Sequence, residues 1–273
     1  GADIFYARRD PGGAWSSPVN ITTSARESFF PLVRVDQVGR VHVVYREDWR
    51  LTYTCRASNG AWSLPLQLSE AVAADVSLAV TAAGEVHVVW RDDGYHLFYA
   101  QRAADGAWRA TQEISTTGAE AVRLALDSND LPLVIWSTGL AIEVSQRGFD
   151  GVWSAPQEVY RREPDGLTSV GQPQLAVAEN GVLHVVFATI AAYPDRTDIW
   201  YAQRRSDGAW SEVQTIAATP GFSGDPLLEL DNTGVAHVLW RDGTPGNDEV
   251  YYARLRPGGA WEGPVNVSAS VGS

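Results

Sequence analysis

Hydrophobic and polar residues alternate along short runs of this chain, and the runs recur at a nearly constant interval. One run begins at Val41 as V-H-V-V-Y, at Val86 as V-H-V-V-W and at Ala236 as A-H-V-L-W. Alternating runs rich in Val and aromatic side chains, bounded by Gly and Asp, are typical of β-strands. The pattern therefore predicts an all-β chain assembled from repeated hairpins.

Two kinds of hairpin unit alternate along the chain, and we name them A and B. An A unit joins a short apolar run to the Val-His-Val-Val run through a turn such as Asp36–Gly39. A B unit joins an aromatic-rich run to a Trp strand through an Asp-Gly or Gly-Gly turn. Glycine supplies the positive φ that such turns require, so these sequences predict tight hairpins. The first apolar residues of the B units lie at positions 4, 51, 97, 142, 199 and 250.

One A unit followed by one B unit gives four strands in roughly 46 residues, which is typical of a blade of a β-propeller. The A units are the more continuously apolar, so they are expected to be the inner hairpins, buried on both faces. Five A units and six B units give five complete blades and leave the first B unit, Ile4 to Ile21, as an outer half-blade. Both a five-bladed and a six-bladed ring accommodate this count. No linker interrupts the series, so we expect residues 1–273 to form a single β-propeller domain.

The B units resemble the BNR, or Asp-box, repeats of bacterial sialidase-like β-propellers. The turns Asp105–Trp108 and Asp207–Trp210 look like Asp-boxes in which the spacing from Asp to Gly is shortened and the Thr is missing. The resemblance covers nearly the whole chain, and it implies that these turns are structural. A sialidase of this kind also needs an Arg-Ile-Pro motif at an early inner strand. The stretch Phe29–Arg34 departs from that motif.

Composition narrows the classes of function. The chain has 33 acidic and 21 basic residues and a net charge of −12, which argues against nucleic acid as a partner. Cys55 is the only cysteine, so a disulfide scaffold is excluded, and no apolar stretch is long enough to insert in a membrane. No signal-peptide pattern opens the sequence. We expect no cofactor, and a secreted or cell-surface location for the parent protein.

The connections at one end of the predicted blades carry the variable residues. Turns inside the A and B units lie at the other end and are nearly identical from repeat to repeat. Function on a repeated scaffold usually belongs to its variable loops, so we expect a ligand to bind there. The two longest connections, 161–171 and 188–198, flank the fourth A unit.

Candidate ligand residues follow the second strand of three A units. An Arg and an acid recur there as Arg46-Glu47, Arg91-Asp92 and Arg241-Asp242. They predict either ion pairs that fasten each loop or arginines that converge on an anionic ligand such as a carboxylate. Loop aromatic residues add surfaces on which a sugar could stack. The complete set of candidates is Arg46, Asp48, Trp49, Arg91, Asp92, Tyr95, His96, Tyr193, Arg241 and Asp242.

Repetition argues against a metal site. His42, His87, His184 and His237 share one repeat position, so copies in different blades lie too far apart to bind one metal ion. We expect these side chains to serve packing and expect no metal. One Trp in every B unit likewise predicts packing between blades. These residues are Trp15, Trp62, Trp108, Trp153, Trp210 and Trp261.

The sequence favours a non-catalytic binding propeller whose variable loops recognise a glycan or an extracellular protein surface. One alternative is a sialidase-like glycoside hydrolase acting on anionic sugars, with Arg46, Arg91 and Arg241 holding the sugar. Acids such as Asp48 or Asp92 would then take acid–base roles. A purely structural or designed repeat protein is the other alternative. The repeat accounts for the reactive side chains, so we predict no catalytic residue.

Overall fold

The structure is a computed structural model, and it describes residues 1–269 except 23, 117, 164–167, 192–196, 218, 220 and 245. All regular elements in this part of the chain are β-strands, and each strand pairs with its neighbours in antiparallel fashion. The predicted all-β class is therefore confirmed. Within the same residues, no helix has the length and hydrophobicity needed to cross a membrane.

The chain divides into two compact units, Gly1–Glu113 and Ile114–Ser273. The prediction of a single domain is not tested by this division. Unit 1 begins with a two-stranded hairpin and continues as a seven-stranded sheet. Its strands are β1 (Phe5–Tyr6), β2 (Val19–Asn20), β3 (Ser28–Val35), β4 (Val41–Glu47), β5 (Arg50–Arg56), β6 (Leu66–Val80), β7 (Val86–Asp92), β8 (Leu97–Arg102) and β9 (Gln112–Ser115), the last of which crosses into unit 2.

The seven-stranded sheet consists of two four-stranded blades that share β6. The first half of β6 pairs with β5, and the second half pairs with β7. Blade 1 is therefore β3–β6 and blade 2 is β6–β9. The connection between these two blades is a continuous strand rather than a loop.

Unit 2 contains three separate four-stranded sheets, which we number as blades 3 to 5. The strands in each blade follow sequence order, as the A and B units predict, so the predicted four-stranded unit is confirmed. Blade 3 comprises β10 (Ala121–Leu126), β11 (Pro132–Ser137), β12 (Ala141–Gln146) and β13 (Gln157–Arg161). Blade 4 comprises β14 (Thr168–Val177), β15 (Leu183–Ala191), β16 (Ile199–Arg204) and β17 (Gln214–Ala217). Blade 5 comprises β18 (Ser223–Leu230), β19 (Ala236–Asp242), β20 (Glu249–Leu255) and β21 (Trp261–Asn266).

The long connections around the fourth A unit differ from the expectation. We expected loops at 161–171 and 188–198, but backbone pairing begins at Thr168↔Ala191. The added residues therefore lengthen β14 and β15 instead of forming only loops. A bulge between Gly171 and Gln174 accommodates the lengthened pair.

The turns inside the A units have the predicted geometry. In blade 1, the carbonyl of Asp36 accepts a hydrogen bond from the N–H of Gly39 at 3.1 Å. The carboxylate of Asp36 accepts from the N–H groups of Val38 (3.1 Å) and Arg40 (2.8 Å). Gly39 has φ 78°, a conformation that glycine adopts without strain.

The repeated histidines link strands within a blade. Each Nδ1 lies within hydrogen-bond distance of a tyrosine hydroxyl on the next strand. These Nδ1–Oη distances are 2.8 Å for His42–Tyr53, 2.7 Å for His87–Tyr99, 2.8 Å for His184–Tyr201 and 2.7 Å for His237–Tyr252. The shared position is therefore a buried or half-buried hydrogen-bonding position.

Three of the six repeated tryptophans contact a tyrosine of the preceding repeat, as the sequence predicts. Each contact is edge-to-face, an arrangement that aromatic quadrupoles favour. The ring-centroid distances are 5.3 Å for Trp62–Tyr6, 5.0 Å for Trp108–Tyr53 and 5.0 Å for Trp261–Tyr201. Beneath these rings, apolar strands of facing blades form the core, with Val44 and Leu78 of blades 1 and 2 in one cluster.

We expect Trp108→Ala to lower the free energy of unfolding by about 2 kcal/mol, because it removes a half-buried ring from the blade interface. Trp15 occupies the same repeat position but is 68% exposed. Trp15→Ala should therefore change the unfolding free energy by less than about 0.5 kcal/mol. Urea denaturation of both variants measures the difference, and equal losses would contradict the packing role.

The free energy of unfolding should decrease as the pH is lowered, because of His184. Burial lowers the pKa of this side chain from 6.5 to about 4, so protonation favours the unfolded chain. The contribution is complete above pH 6.5, declines as the pH falls from 6.5 to 4, and amounts to about 3 kcal/mol. Urea titrations across this interval should give a flatter pH dependence for His184→Gln. An unchanged slope in His184→Gln would refute the assignment.

Candidate functional site

The three Arg-acid pairs lie at the ends of β4, β7 and β19, where successive side chains point to opposite sides. Each guanidinium lies over an aromatic ring rather than on the neighbouring acid. The distances from Cζ to the ring centroid are 4.9 Å for Arg46–Phe30, 4.9 Å for Arg91–Tyr95 and 4.8 Å for Arg241–Phe222. Among the described residues, no ion pair joins the neighbours of an Arg-acid pair. The adjacent Arg and acid therefore do not form the fastening ion pair with each other, although Arg241 pairs with Asp225 and Asp248.

Three aromatic rings cluster at the loop end of blade 1. The ring of Trp49 lies 4.7 Å from that of Phe29 and 6.4 Å from that of Phe30, measured between centroids. Phe30 is 62% exposed and Trp49 is 50% exposed. Such large exposed rings placed side by side are a typical feature of a binding surface.

The backbone that presents these rings is strained. Asp48 and Trp49 form the two-residue turn between β4 and β5, and both have positive φ, at 48° and 68°. Phe30, at a bulge in β3, has φ 54°. A bulky side chain rarely adopts this conformation, and strain of this kind concentrates at functional sites. The strained positions bring Phe30 and Trp49 to the surface.

Arg46 connects the aromatic cluster to blade 2. Its Nη2 donates to the carbonyl of Ala74, and its buried Nε has no partner among the described residues. Burial lowers the pKa of Arg46, the nearby carboxylate of Asp75 raises it, and the charge of Arg91 lowers it further. The two arginines are thus within electrostatic range of each other. We name Phe30, Arg46, Trp49, Arg91 and Tyr95 the aromatic surface of unit 1.

The loop after β7 supplies the other side of this surface. Tyr95 has φ 64° and is 49% exposed. Asp92 supports the loop, because its carboxylate accepts a hydrogen bond from the N–H of His96 at 2.8 Å. The imidazole Nδ1 of His96 lies 3.0 Å from the carboxylate of Glu113. On the blade 1 side, the carboxylate of Asp48 lies 3.5 Å from the guanidinium of Arg26.

Arg241 lies in unit 2 and is already paired with acids. Its guanidinium is 3.2 Å from the carboxylate of Asp225 and 3.3 Å from that of Asp248. Asp225 in turn accepts a 2.7 Å hydrogen bond from Gln172 of blade 4. The structure therefore brings Arg46 and Arg91 together in unit 1 and pairs Arg241 with two carboxylates in unit 2. The remaining candidate, Tyr193, lies outside the described residues.

Asp242 is buried and supports the loop that carries Arg241. Its carboxylate accepts hydrogen bonds from the hydroxyls of Thr219 and Ser223, both at 2.9 Å, and from the N–H of Thr244 at 2.9 Å. Burial alone would raise the pKa of Asp242, but these bonds outweigh it and hold the pKa below its usual range. Asp242 therefore contributes to the site by positioning the loop.

The sequence analysis named Tyr95 among its candidates but missed Phe30 and Phe222, the aromatic partners of Arg46 and Arg241. Phe30 precedes a proline at the bulge of β3, and Gln172 and Asp225 precede prolines at the equivalent positions of β14 and β18. All three have φ of 53–54°. The recurring proline within these strands was the available sequence signal, because proline inside a strand marks a bulge.

Metal binding receives no support from the described side chains. Among them, no group of three or more His, Cys, Asp or Glu residues could hold a metal ion. Cys55, the one thiol, is buried.

No protein-family model and no curated protein matches this sequence. Solved structures do match. Ulvan lyase, from a new polysaccharide lyase family, has a TM-score of 0.66 at 11% identity, over 85% of this chain and 70% of that one. A second structure of that enzyme is bound to -[GlcA(1-4)Rha3S]- and has a TM-score of 0.65.

Two fungal proteins are also similar. The α-L-arabinanase of Penicillium chrysogenum, complexed with arabinobiose, has a TM-score of 0.51 at 14% identity, over 72% of this chain and 68% of that one. A mutant of the Aleuria aurantia lectin, in complex with Fucα1-6GlcNAc, has a TM-score of 0.53 at 14% identity, over 87% and 77%. At these identities the likeness establishes a propeller-like fold.

We expect Asp242→Asn to lower the free energy of unfolding by about 1–3 kcal/mol, because the amide replaces a buried acceptor with a donor. Asp248→Asn is the matched control, since Asp248 is exposed and its ion pair with Arg241 is at the surface. That variant should lose less than about 0.5 kcal/mol. Thermal unfolding of the two variants tests the assignment, which requires the larger loss in Asp242→Asn.

Proposed function

We propose that this chain is a glycan-binding propeller protein that uses the aromatic surface of unit 1. The matched propeller-like structures include carbohydrate-active enzymes and a lectin, which supports a function with glycans. The single observation that carries the proposal is the pair of exposed rings, Phe30 and Trp49, beside two half-buried arginines.

Aromatic rings and guanidinium groups complement different parts of a sugar. A pyranose ring presents an apolar C–H face that packs on an aromatic side chain, and its hydroxyls accept hydrogen bonds at the edge. A guanidinium has five N–H donors, of which Arg46 uses one in the described bonds, to Ala74. Phe30 and Trp49 therefore provide the stacking surface, and Arg46 provides donors next to it.

The charges favour an acidic glycan. Arg46 and Arg91 are like charges held in electrostatic range, and the pKa of Arg46 is lowered. A carboxylate on the ligand would relieve this repulsion and could accept two parallel hydrogen bonds from one guanidinium. The proposed ligand is therefore a glycan that carries a carboxylate.

The remaining features of the proposal come from the sequence analysis. We propose non-catalytic recognition, a secreted or cell-surface parent protein, and kinship with the BNR repeats of sialidase-like propellers. A ring of five blades, or of six with β1–β2 as a partial blade, is the matching architecture.

A polysaccharide-cleaving enzyme is the second candidate. The observation that favours it is the His96–Glu113 pair, at 3.0 Å, in the same loop as Tyr95. A histidine oriented by a carboxylate is suited to proton transfer to or from a bound substrate. This alternative uses the same surface and the same acidic ligand.

Binding is tested on a glycan array that includes uronic-acid and sialylated glycans. We expect the wild type to bind acidic glycans, and expect Trp49→Ala and Arg46→Ala each to weaken binding at least about tenfold, because each removes a central contact. Phe149→Ala is the control, since Phe149 is an exposed ring in a turn of unit 2. An array without hits at high protein concentration, or equal losses in Phe149→Ala, would refute the proposal.

A turnover assay distinguishes the non-catalytic glycan-binding protein from the polysaccharide-cleaving enzyme. Incubation with uronic-acid polysaccharides would release reducing ends if the protein were an enzyme, and a lyase would also generate the ultraviolet absorbance of an unsaturated product. His96→Ala should abolish such turnover while retaining binding. Binding without product formation would support the non-catalytic function.

A further inference from the structure

A groove of about 630 Å³ separates the turn ends of blades 4 and 5, within unit 2. It lies at the opposite end of these blades from the loop of Arg241. A smaller space of about 270 Å³ adjoins it, and the two share His184, Gln203, Pro257 and Gly258. Neither space includes a residue of the aromatic surface of unit 1.

The smaller space exists because one residue departs from the repeat. An arginine lies six residues before the Trp of the first five B units, and Leu255 takes its place in the last one. In blade 2, this arginine is Arg102, which lies over the Tyr53 ring at 5.8 Å. A Cβ on Gly106 would lie 2.8 Å from Nη2 of Arg102, so the guanidinium fills the space under the turn.

In blade 5 the equivalent space is open. Gly259 holds the position of Gly106, and the atoms nearest to a Cβ there belong to Arg256, since Leu255 provides no guanidinium. Leu255, Tyr201 and Trp261 line the smaller space. The Trp261 ring still packs on Tyr201, and its buried Nε1 has no partner among the described residues. The smaller space therefore has an aromatic wall whose indole N–H has no described partner.

The larger space lies at an interface that lacks an arginine bridge, which only the first A unit provides. In blade 1, Arg40 bridges to blade 2 by donating to the carbonyl of Ala83 at 3.2 Å, and it also pairs with Asp36. In blade 4 the corresponding residues are Val182 and Ala178. The bridge between the two turns is therefore missing at this interface, where the groove is found.

The floor of the groove combines apolar and uncharged polar groups. Val182 and Leu230 line the larger space, and Leu255 and Trp261 line the smaller one. His184 contacts both, and burial lowers its pKa to about 4, so its imidazole is neutral at pH 7. In blade 1, Asp36 lies 3.3 Å from Nε2 of the equivalent histidine, but Ala178 replaces that acid in blade 4.

Charged groups at the rim other than Glu179 have partners. Arg205 lies 3.6 Å from Asp207, and Arg256 lies 3.2 Å from Glu262. The carboxylate of Asp231 accepts hydrogen bonds from Thr233. The rim therefore gives no strong preference for a charged ligand.

We propose that this groove binds a neutral saccharide of one or two rings. Its volume is in the range of small-molecule sites, which join an apolar wall to a few placed polar groups. Trp261 and the aliphatic side chains complement the C–H face of a sugar ring, and Gln203 and His184 complement its hydroxyls. This site is independent of the acidic-glycan site proposed for unit 1.

The test uses saturation-transfer NMR and calorimetry with glucose, galactose, mannose, N-acetylglucosamine and their β-linked disaccharides. We expect at least one of these probes to bind the wild type. Leu255→Arg should weaken binding at least about tenfold, because it restores the side chain that fills the space in other repeats. Val182→Arg should have a similar effect.

Two controls make the result decisive. Phe149→Ala removes an exposed ring outside the groove and should keep the wild-type affinity, while Arg46→Ala changes only unit 1 and should also keep it. Because arginine is the residue of the other B units, Leu255→Arg should fold normally, which thermal unfolding checks. The proposal is overturned if no probe binds the wild type, or if Leu255→Arg binds as tightly as the wild type. Loss of neutral-sugar binding in Arg46→Ala with retention in Leu255→Arg would also overturn it.

Discussion

The edge-to-face contact between the Trp of one repeat and the Tyr of the preceding repeat is the interaction on which the rest of the structure depends. The same tyrosine bonds through its hydroxyl to the histidine of its own blade, as Tyr53 does with His42 while Trp108 packs on its ring. Burial raises the pKa of the Tyr53 hydroxyl, so it stays protonated. One side chain thereby joins two strands within a blade and two blades to each other.

The stability that these Trp–Tyr–His contacts provide at the turn ends of the blades offsets backbone strain at the loop ends. The tight turn at Asp48 and Trp49 and the bulge at Phe30 hold non-glycine residues at positive φ. Such positions persist only where the surrounding structure determines them, and here the paired strands β3–β5 do so. The consequence is a set of exposed rings beside half-buried guanidinium groups, an arrangement suited to sugars.

Departures from the repeat carry as much functional information as the loops. Between blades 1 and 2, the space at the turn ends is occupied by Arg102, which belongs to the repeat, and by Arg40, which only the first A unit carries. Where Val182 and Leu255 replace the corresponding arginines, a groove lies between two otherwise equivalent blades. A repeated scaffold can therefore acquire a site by losing side chains, without any change in its backbone.

The sequence by itself determined the β-hairpins, their turns, the four-stranded unit and the packing role of the tryptophans. These features are local or repeated, so spacing and turn chemistry specify them. Only the tertiary structure decided the sides to which the arginine and the acid of each Arg-acid pair point. It also decided that Arg46 and Arg91 share a surface and that Asp242 is buried. The rings that the arginines contact at Phe30 and Phe222 belong to a different strand or connection of the blade. Such contacts depend on register and bulges, and no spacing along the chain encodes them directly.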